Sequence, residues 1–329
     1  MNAWLKRKLT GLTISQEYVC IGGEKLISPL NIFLTTKKSS NGYHVADHIF
    51  LGYKPLIMAV IFPLATENDF DNEEVCFNFS EAAARFSTDI IWKGFPTDRN
   101  SLARLRMKKV NSRELTANQL IFYKGSFGQH RFISGFNQIV NSFLLNRIKK
   151  PVGNISLNGN LYDQVRIAYS IARKISLITV MENEFINIFP TDLHGAIAND
   201  FYMISLRIEG QACQQVEATK KIVISEIDSS QFMVAYKLGK NHMKKMTNKE
   251  TFDLSNTRSD FFQFPLPTGV GLYRELELMD SWDLGIHRLF TFKVINARKK
   301  NNINPLTHVH QYYAQWRQNN KLDTRYLFR

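Results

Sequence analysis

Cysteine is scarce in this 329-residue chain: Cys20, Cys76 and Cys213 are widely separated, odd in number and never in a Cys-x-x-Cys arrangement. That excludes a disulfide framework and a thiolate zinc site, and makes a reducing cytoplasm the expected setting. Nine prolines and 17 glycines are too few for a collagen-like or linker-rich chain. Long apolar runs are missing too. The longest, residues 55–65, contains Pro63 and falls short of the roughly 20 residues that a bilayer-spanning helix needs. The first residues, MNAWLKRKLTGL, carry positive charge with no continuous apolar core behind it, so no secretory leader is expected. Gly269-Val270-Gly271 precedes a strand pattern rather than opening a helix, which excludes a dinucleotide-type phosphate loop. No G-x-S-x-G elbow and no H-E-x-x-H occur.

What is present is apolar and basic. Hydrophobic residues make up 44% of the chain and aromatics 12%, enough for a sizeable core. The net charge is +13. It is spread over the length, with 20 basic against 12 acidic residues up to Lys150 and 22 against 17 beyond it. Such a balance suits phosphate-bearing ligands, nucleic acid or an acidic surface without choosing among them, and a solvated basic surface explains it as well.

Residues 1–150 read as a β-rich domain of short apolar runs: Tyr18–Ile21, Leu30–Thr35, Tyr43–Gly52, Leu56–Phe62 and Val75–Phe79. Ser80–Arg85 and Ser101–Lys109 read as short helical pieces. Gly135–Lys149 has helical apolar spacing and a basic last turn. Pro151-Val152-Gly153-Asn154 marks a boundary. The second domain, 155–329, opens on a predicted helix over Asn160–Lys174. Strand, tight turn, strand, polar loop and strand follow between Ile175 and Ile208. A short helix over Gln211–Lys220 leads to a strand over Lys221–Ile227, and Tyr236–Glu250 reads as a helix or a covering loop. Gly271–Asp280 and Arg288–Val294 read as an antiparallel pair around a turn at Ser281–Gly285. The order is not βαβ. A mainly β (α+β) fold is expected, an antiparallel split barrel with helical decoration beside a β-rich N-terminal domain.

Two short echoes leave a duplication open: Phe-Pro-Thr-Asp at 95–98 and 189–192, and Gly-x-His-Arg at 128–131 and 285–288. His44 and His48 are four apart in a strand-like segment with no third ligand, so no metal site is expected. His308 and His310 read as surface histidines. Aromatic and basic residues mix in Gln311–Arg329, which suits single-stranded nucleic acid and equally a terminal segment docked on the barrel.

The segment Ile175–Ile208 together with Phe264–Asn296 resembles the flavin reductase-like family of FMN-binding split barrels. The match lies in a strand–turn–strand start at Ile175–Phe189, a loop at Pro190–Asn199 and a strand at Phe201–Arg207. It closes on Gly-x-His with a Leu-Phe-x-x-x-Val strand at Gly285–Val294. It covers about half of the chain. Asn199-Asp200 stands where the family has Pro-Pro, and Thr-Asp-Leu-His-Gly where it has a Ser-rich loop. The resemblance implies FMN, reduction by NAD(P)H and a homodimer with the flavin partly at the subunit interface. Thr191, Asp192, His194 and Gly195 are candidates for the flavin edge, and Arg207, Lys220 and Lys221 for its phosphate. His194 and His287 are candidates for proton handling. The alternative is a non-catalytic module binding flavin or nucleic acid.

Overall fold

Strand after strand in this chain pairs with a distant one, so alternation of inward and outward side chains decides the fold more than helix propensity does. The computed structural model describes residues 10–322, except 24–27, 39–41, 65–73, 82–89, 116–117, 148–156, 158 and 199, together with 327–328. The proposed boundary at Pro151–Asn154 and the residue Asn199 lie outside the described residues.

The strands in chain order begin with β1 (Tyr18–Gly22), β2 (Leu30–Thr35), β3 (Tyr43–Val45), β4 (His48–Tyr53), β5 (Leu56–Pro63) and β6 (Glu74–Glu81). The short hairpin β7 (Ile90–Trp92) and β8 (Phe95–Thr97) comes next, then β9 (Ala103–Glu114) and β10 (Asn118–His130). Six of these with β3 make a seven-stranded sheet in the order β3-β2-β6-β9-β10-β5-β4, every pairing antiparallel. Here Ser101–Lys109 departs from expectation, because most of it is strand β9 rather than helix. Leu102 and Leu105 mimic helical spacing, but Leu105 and Met107 are buried with period two between β6 and β10.

After the helices Gly135–Arg147 and Asn160–Ala168 come β11 (Arg173–Lys174), β12 (Ser176–Glu182), β13 (Phe185–Thr191), β14 (His194–Ala198), β15 (Phe201–Arg207) and β16 (Lys221–Ile227). Next are β17 (Thr247–Asn248), β18 (Leu254–Arg258), β19 (Pro265–Pro267), β20 (Val270–Leu284), β21 (His287–Lys299), β22 (Leu306–His310) and β23 (Leu327–Phe328). Eight of them form the second large sheet, β14-β15-β21-β20-β16-β12-β13-β17, again antiparallel throughout. The fold is thus mainly β with helical decoration and built of antiparallel sheets, as the sequence indicates. The turn expected at Ser281–Gly285 is tighter. Ser281–Leu284 extend β20 against His287–Phe290, and only Gly285-Ile286 turn. Gly285 takes φ +68°, where a side chain would be strained.

The two sheets share a core. Ile49, Leu51 and Phe122 of the first pack with Ile197, Met203 and Leu289 of the second. The chain ends are tied as well, since β1 pairs antiparallel with β22 over five residues, Tyr18 opposite His310 through Gly22 opposite Leu306. The helix Gln311–Asn319 then docks, burying Tyr312, Tyr313 and Arg317. Its aromatics are core rather than stacking platforms.

Candidate functional site

Strands β13 and β14 follow one another so closely in sequence that the polar loop shrinks to Asp192-Leu193, with Leu193 buried. The hydroxyl of Thr191 accepts a hydrogen bond from the Leu193 amide (3.3 Å), so it closes this turn. Asp192 meets Arg173 of β11 at 3.5 Å and accepts from Nε2 of His308 in β22 at 2.9 Å. Arg173 also donates to the carbonyls of Phe50 and Asp192 and lies 4.4 Å from the ring of Tyr169. Burial alone would raise the Asp192 carboxyl, but Arg173, His308 and a hydrogen bond from Tyr169 outweigh it and hold the group well below the usual carboxylate range. This pair is electrically closed. His308 and His310 are not surface histidines, since His310 is 1% exposed and its Nδ1 caps the terminal helix by accepting from Tyr312 N.

His194 is committed on both nitrogens. Nδ1 lies 2.7 Å from the Tyr202 hydroxyl and Nε2 3.2 Å from the Lys174 carbonyl. A carbonyl only accepts, so Nε2 carries the proton and Nδ1 accepts from Tyr202. Burial, reinforced by Lys174, pushes this imidazole down to about 4, which keeps it neutral at pH 7. Gly195 faces the other sheet, where an added Cβ would lie 2.8 Å from Cγ1 of Ile49.

A different pair lacks polar partners. Arg207 ends β15 directly opposite His287, which starts β21. Among the described residues the Arg207 guanidinium has no hydrogen bond and no ion pair, and it is half-buried. His287 is 1% exposed, and neither ring nitrogen has a partner. Burial and then Arg207 push the imidazole down to about 4, so it is neutral, with one nitrogen to donate and one to accept. The first sheet closes over this pair. The Ile286 amide donates to the Lys54 carbonyl at 3.3 Å, and Tyr53 stands edge-on to His287 with centroids 4.7 Å apart. Gly52 lies so near that an added Cβ would be 3.3 Å from Nδ1. Burial raises the Tyr53 hydroxyl above its ordinary range; Arg207 and Arg173 oppose this and Asp192 adds to it. All four therefore feel one another.

With Arg173 and Asp192 neutralising each other and His287 uncharged, Arg207 leaves one uncompensated positive charge at a half-buried position. Such a charge attracts an anion more strongly than a fully solvated one. The structure thus gathers Asp192, Arg207 and His287 of the expected residues. It keeps Thr191 and His194 beside them with their polar atoms used internally. Lys220 and Lys221 are exposed at the far end of the helix Gln211–Thr219, about 14 Å along its axis from its start, and Lys221 lies over the Phe262 ring at 5.4 Å. Sequence reasoning missed Arg173, His308 and Tyr53. The two-residue spacing of His308 and His310 was the available signal for one of them. A cavity of about 690 Å³ lies elsewhere, lined by His130, Phe132, Gln138 and Asn319 among others and by none of the expected residues.

No family model matches the chain, and no curated protein matches it. Among solved structures it is similar to an FMN-binding protein from Thermus thermophilus, at 16% identity over 46% of this chain and 82% of that one, with a TM-score of 0.37. It is similar also to the NADH:FAD oxidoreductase SgcE6 of Streptomyces globisporus, at 13% identity over 49% of this chain and 96% of that one, TM-score 0.41. A third is BorF, the flavin reductase component of a bacterial two-component tryptophan halogenase, at 16% identity over 46% and 94%, TM-score 0.41.

Proposed function

We propose that this chain is a flavoprotein oxidoreductase of flavin reductase type, which binds FMN and takes reducing equivalents from NAD(P)H. The observation that carries the reading is the unpaired Arg207 guanidinium opposite His287, placed on the strands whose sequence carries the flavin reductase-like pattern. The residues suit the group. A guanidinium presents a planar fork to phosphate oxygens, and a neutral imidazole with two free nitrogens can donate to one acceptor and accept from another. Gly285 and Gly52 let the first sheet pack closely against this pair, Gly285 on Lys54 and Pro55 and Gly52 on His287. When bound, the flavin supplies a hydride-accepting ring nitrogen, chemistry that no side chain provides.

The residues of the chain bind and orient. Arg207 anchors the phosphate, and His287 holds a proton on one nitrogen beside it. Asp192, Arg173 and His308 fix the loop between β13 and β14, and the packed sheets exclude water from the crevice. No covalent nucleophile is invoked. In this reading Thr191 and His194 shape the flavin edge from behind, through the turn and through Tyr202.

The test is a titration of the purified protein with FMN, followed by anaerobic addition of NADH or NADPH. Micromolar binding and bleaching of the flavin absorbance are expected. Absence of FMN binding would overturn the reading. Binding without reduction by either nucleotide would reduce it to a flavin-binding module. Oligonucleotide binding that falls steeply with salt, without flavin binding, would favour the nucleic-acid alternative.

A further inference from the structure

The seven-stranded sheet and the second large sheet have the same construction. Reading across the first gives β3-β2-β6-β9-β10-β5-β4, and across the second β13-β12-β16-β20-β21-β15-β14, with β17 added at one edge. Position by position, the members also come in the same chain order: hairpin, hairpin, single strand, long hairpin. The sequence echoes do not mark this repeat. Phe95–Asp98 lies largely in β8 whereas Phe189–Thr191 end β13, and His130 ends β10 whereas His287 starts β21. What repeats is the wiring.

The repeated sheets meet through matching members. β4, β5 and β10 of one face β14, β15 and β21 of the other in the shared core. Ile49, second residue of β4, sits on Gly195, second residue of β14. His48 and His194 start those two strands, and burial pushes each down to about 4. Contact between equivalent patches is the geometry of a twofold dimer, realised here between two parts of one chain.

A twofold arrangement has two equivalent strand-end pairs, and among the described residues only one of these pairs is a cation opposite an imidazole. In the second sheet the terminal pair of the inner strands is Arg207 opposite His287. In the first sheet the equivalent pair, last residue of β5 opposite first of β10, is Pro63 opposite Asn118. Over the Arg207 end lie Gly52, Tyr53 and Lys54 of the first sheet. The five-residue pairing of β1 with β22 fastens the two parts from the other side.

We propose that the first sheet takes the place of a second subunit, so that one chain is a complete unit with a single anion-competent crevice, and that Tyr53 is its positioning residue from the first sheet. The identity of the ligand as FMN rests on the function proposed above; the one-chain assembly does not. The experiment is sedimentation equilibrium of the full chain with and without FMN, combined with the binding stoichiometry and the variant Tyr53→Ala. A species of 38.1 kDa binding one FMN is expected, with Tyr53→Ala weakening FMN about tenfold at unchanged mass. A dimer whose dissociation abolishes binding, two FMN per chain, or undiminished affinity in Tyr53→Ala would each overturn the inference. A 38.1 kDa species that binds no FMN would sink the flavin reading and leave the one-chain assembly standing.

Discussion

The two large sheets share a strand order and differ in what their ends carry. At the close of β5 and the start of β10 the first has Pro63 and Asn118. At the corresponding place the second has a free guanidinium and a buried, unpartnered imidazole. Identical wiring with different terminal residues separates what holds the architecture from what gives it chemistry. The strand pairings need only alternation and a shared apolar seam. The crevice needs a charge left unpaired, which costs stability and persists where something binds.

The largest effect expected from breaking this comparison is at Asp192. Asp192→Ala leaves Arg173 facing a buried site without its partner, and should lower unfolding stability by about 3 kcal/mol in a denaturant titration. Asp47→Ala, at an exposed carboxylate in the turn between β3 and β4, should stay within about 0.5 kcal/mol. Next comes the ligand site. Arg207→Ala should weaken FMN by about tenfold or more, the worth of a charge-assisted hydrogen bond, while Asn118→Ala leaves affinity unchanged. The seam between sheets is tested by Gly195→Ala, which pushes a methyl into Ile49 and should cost about 1–2 kcal/mol. Combining it with Ile49→Ala should recover part of that loss, a coupling that a double-mutant cycle measures.

Acid sensitivity sharpens the picture further. His48, His194 and His287 sit near 4 in the folded protein against an ordinary value near 6.5. As pH falls, the unfolded chain takes up protons first. The stability these neutral rings contribute is complete above about 6.5 and is lost as pH falls from there toward about 4. Chemical denaturation midpoints across that window should decline, and less so in His194→Gln. The smallest effect is at Thr191. Thr191→Ala removes one turn-closing acceptor and should cost about 1 kcal/mol of stability, with FMN affinity changed less than threefold.

Much of the architecture could be read from the residues. Lys221–Ile227 is a strand over the whole predicted span, because the consecutive β-branched residues Ile222-Val223-Ile224 are buried on both faces there. The tight turn expected between the first two strands of Ile175–Ile208 appears at Asn183-Glu184, with Asn183 at φ +54°. Segment β9 misled because its leucines fit a helix, whereas pairing with β6 and with β10 of the same hairpin holds it extended. The site was half legible. Arg207 and His287 stood out by position at strand ends. The closure of Asp192 by Arg173 and by His308, 116 residues away, follows from long-range pairing that a local pattern does not encode. The contribution of Tyr53 depends on the packing of the first sheet over the second.

The most direct measurement compares FMN with riboflavin, which lacks the phosphate, in the wild type and in Arg207→Ala. If Arg207 anchors the phosphate, the wild type binds FMN at least about tenfold more tightly than riboflavin, and the preference disappears in Arg207→Ala. A preference for FMN that survives the substitution would contradict the assignment of Arg207 as the anchor.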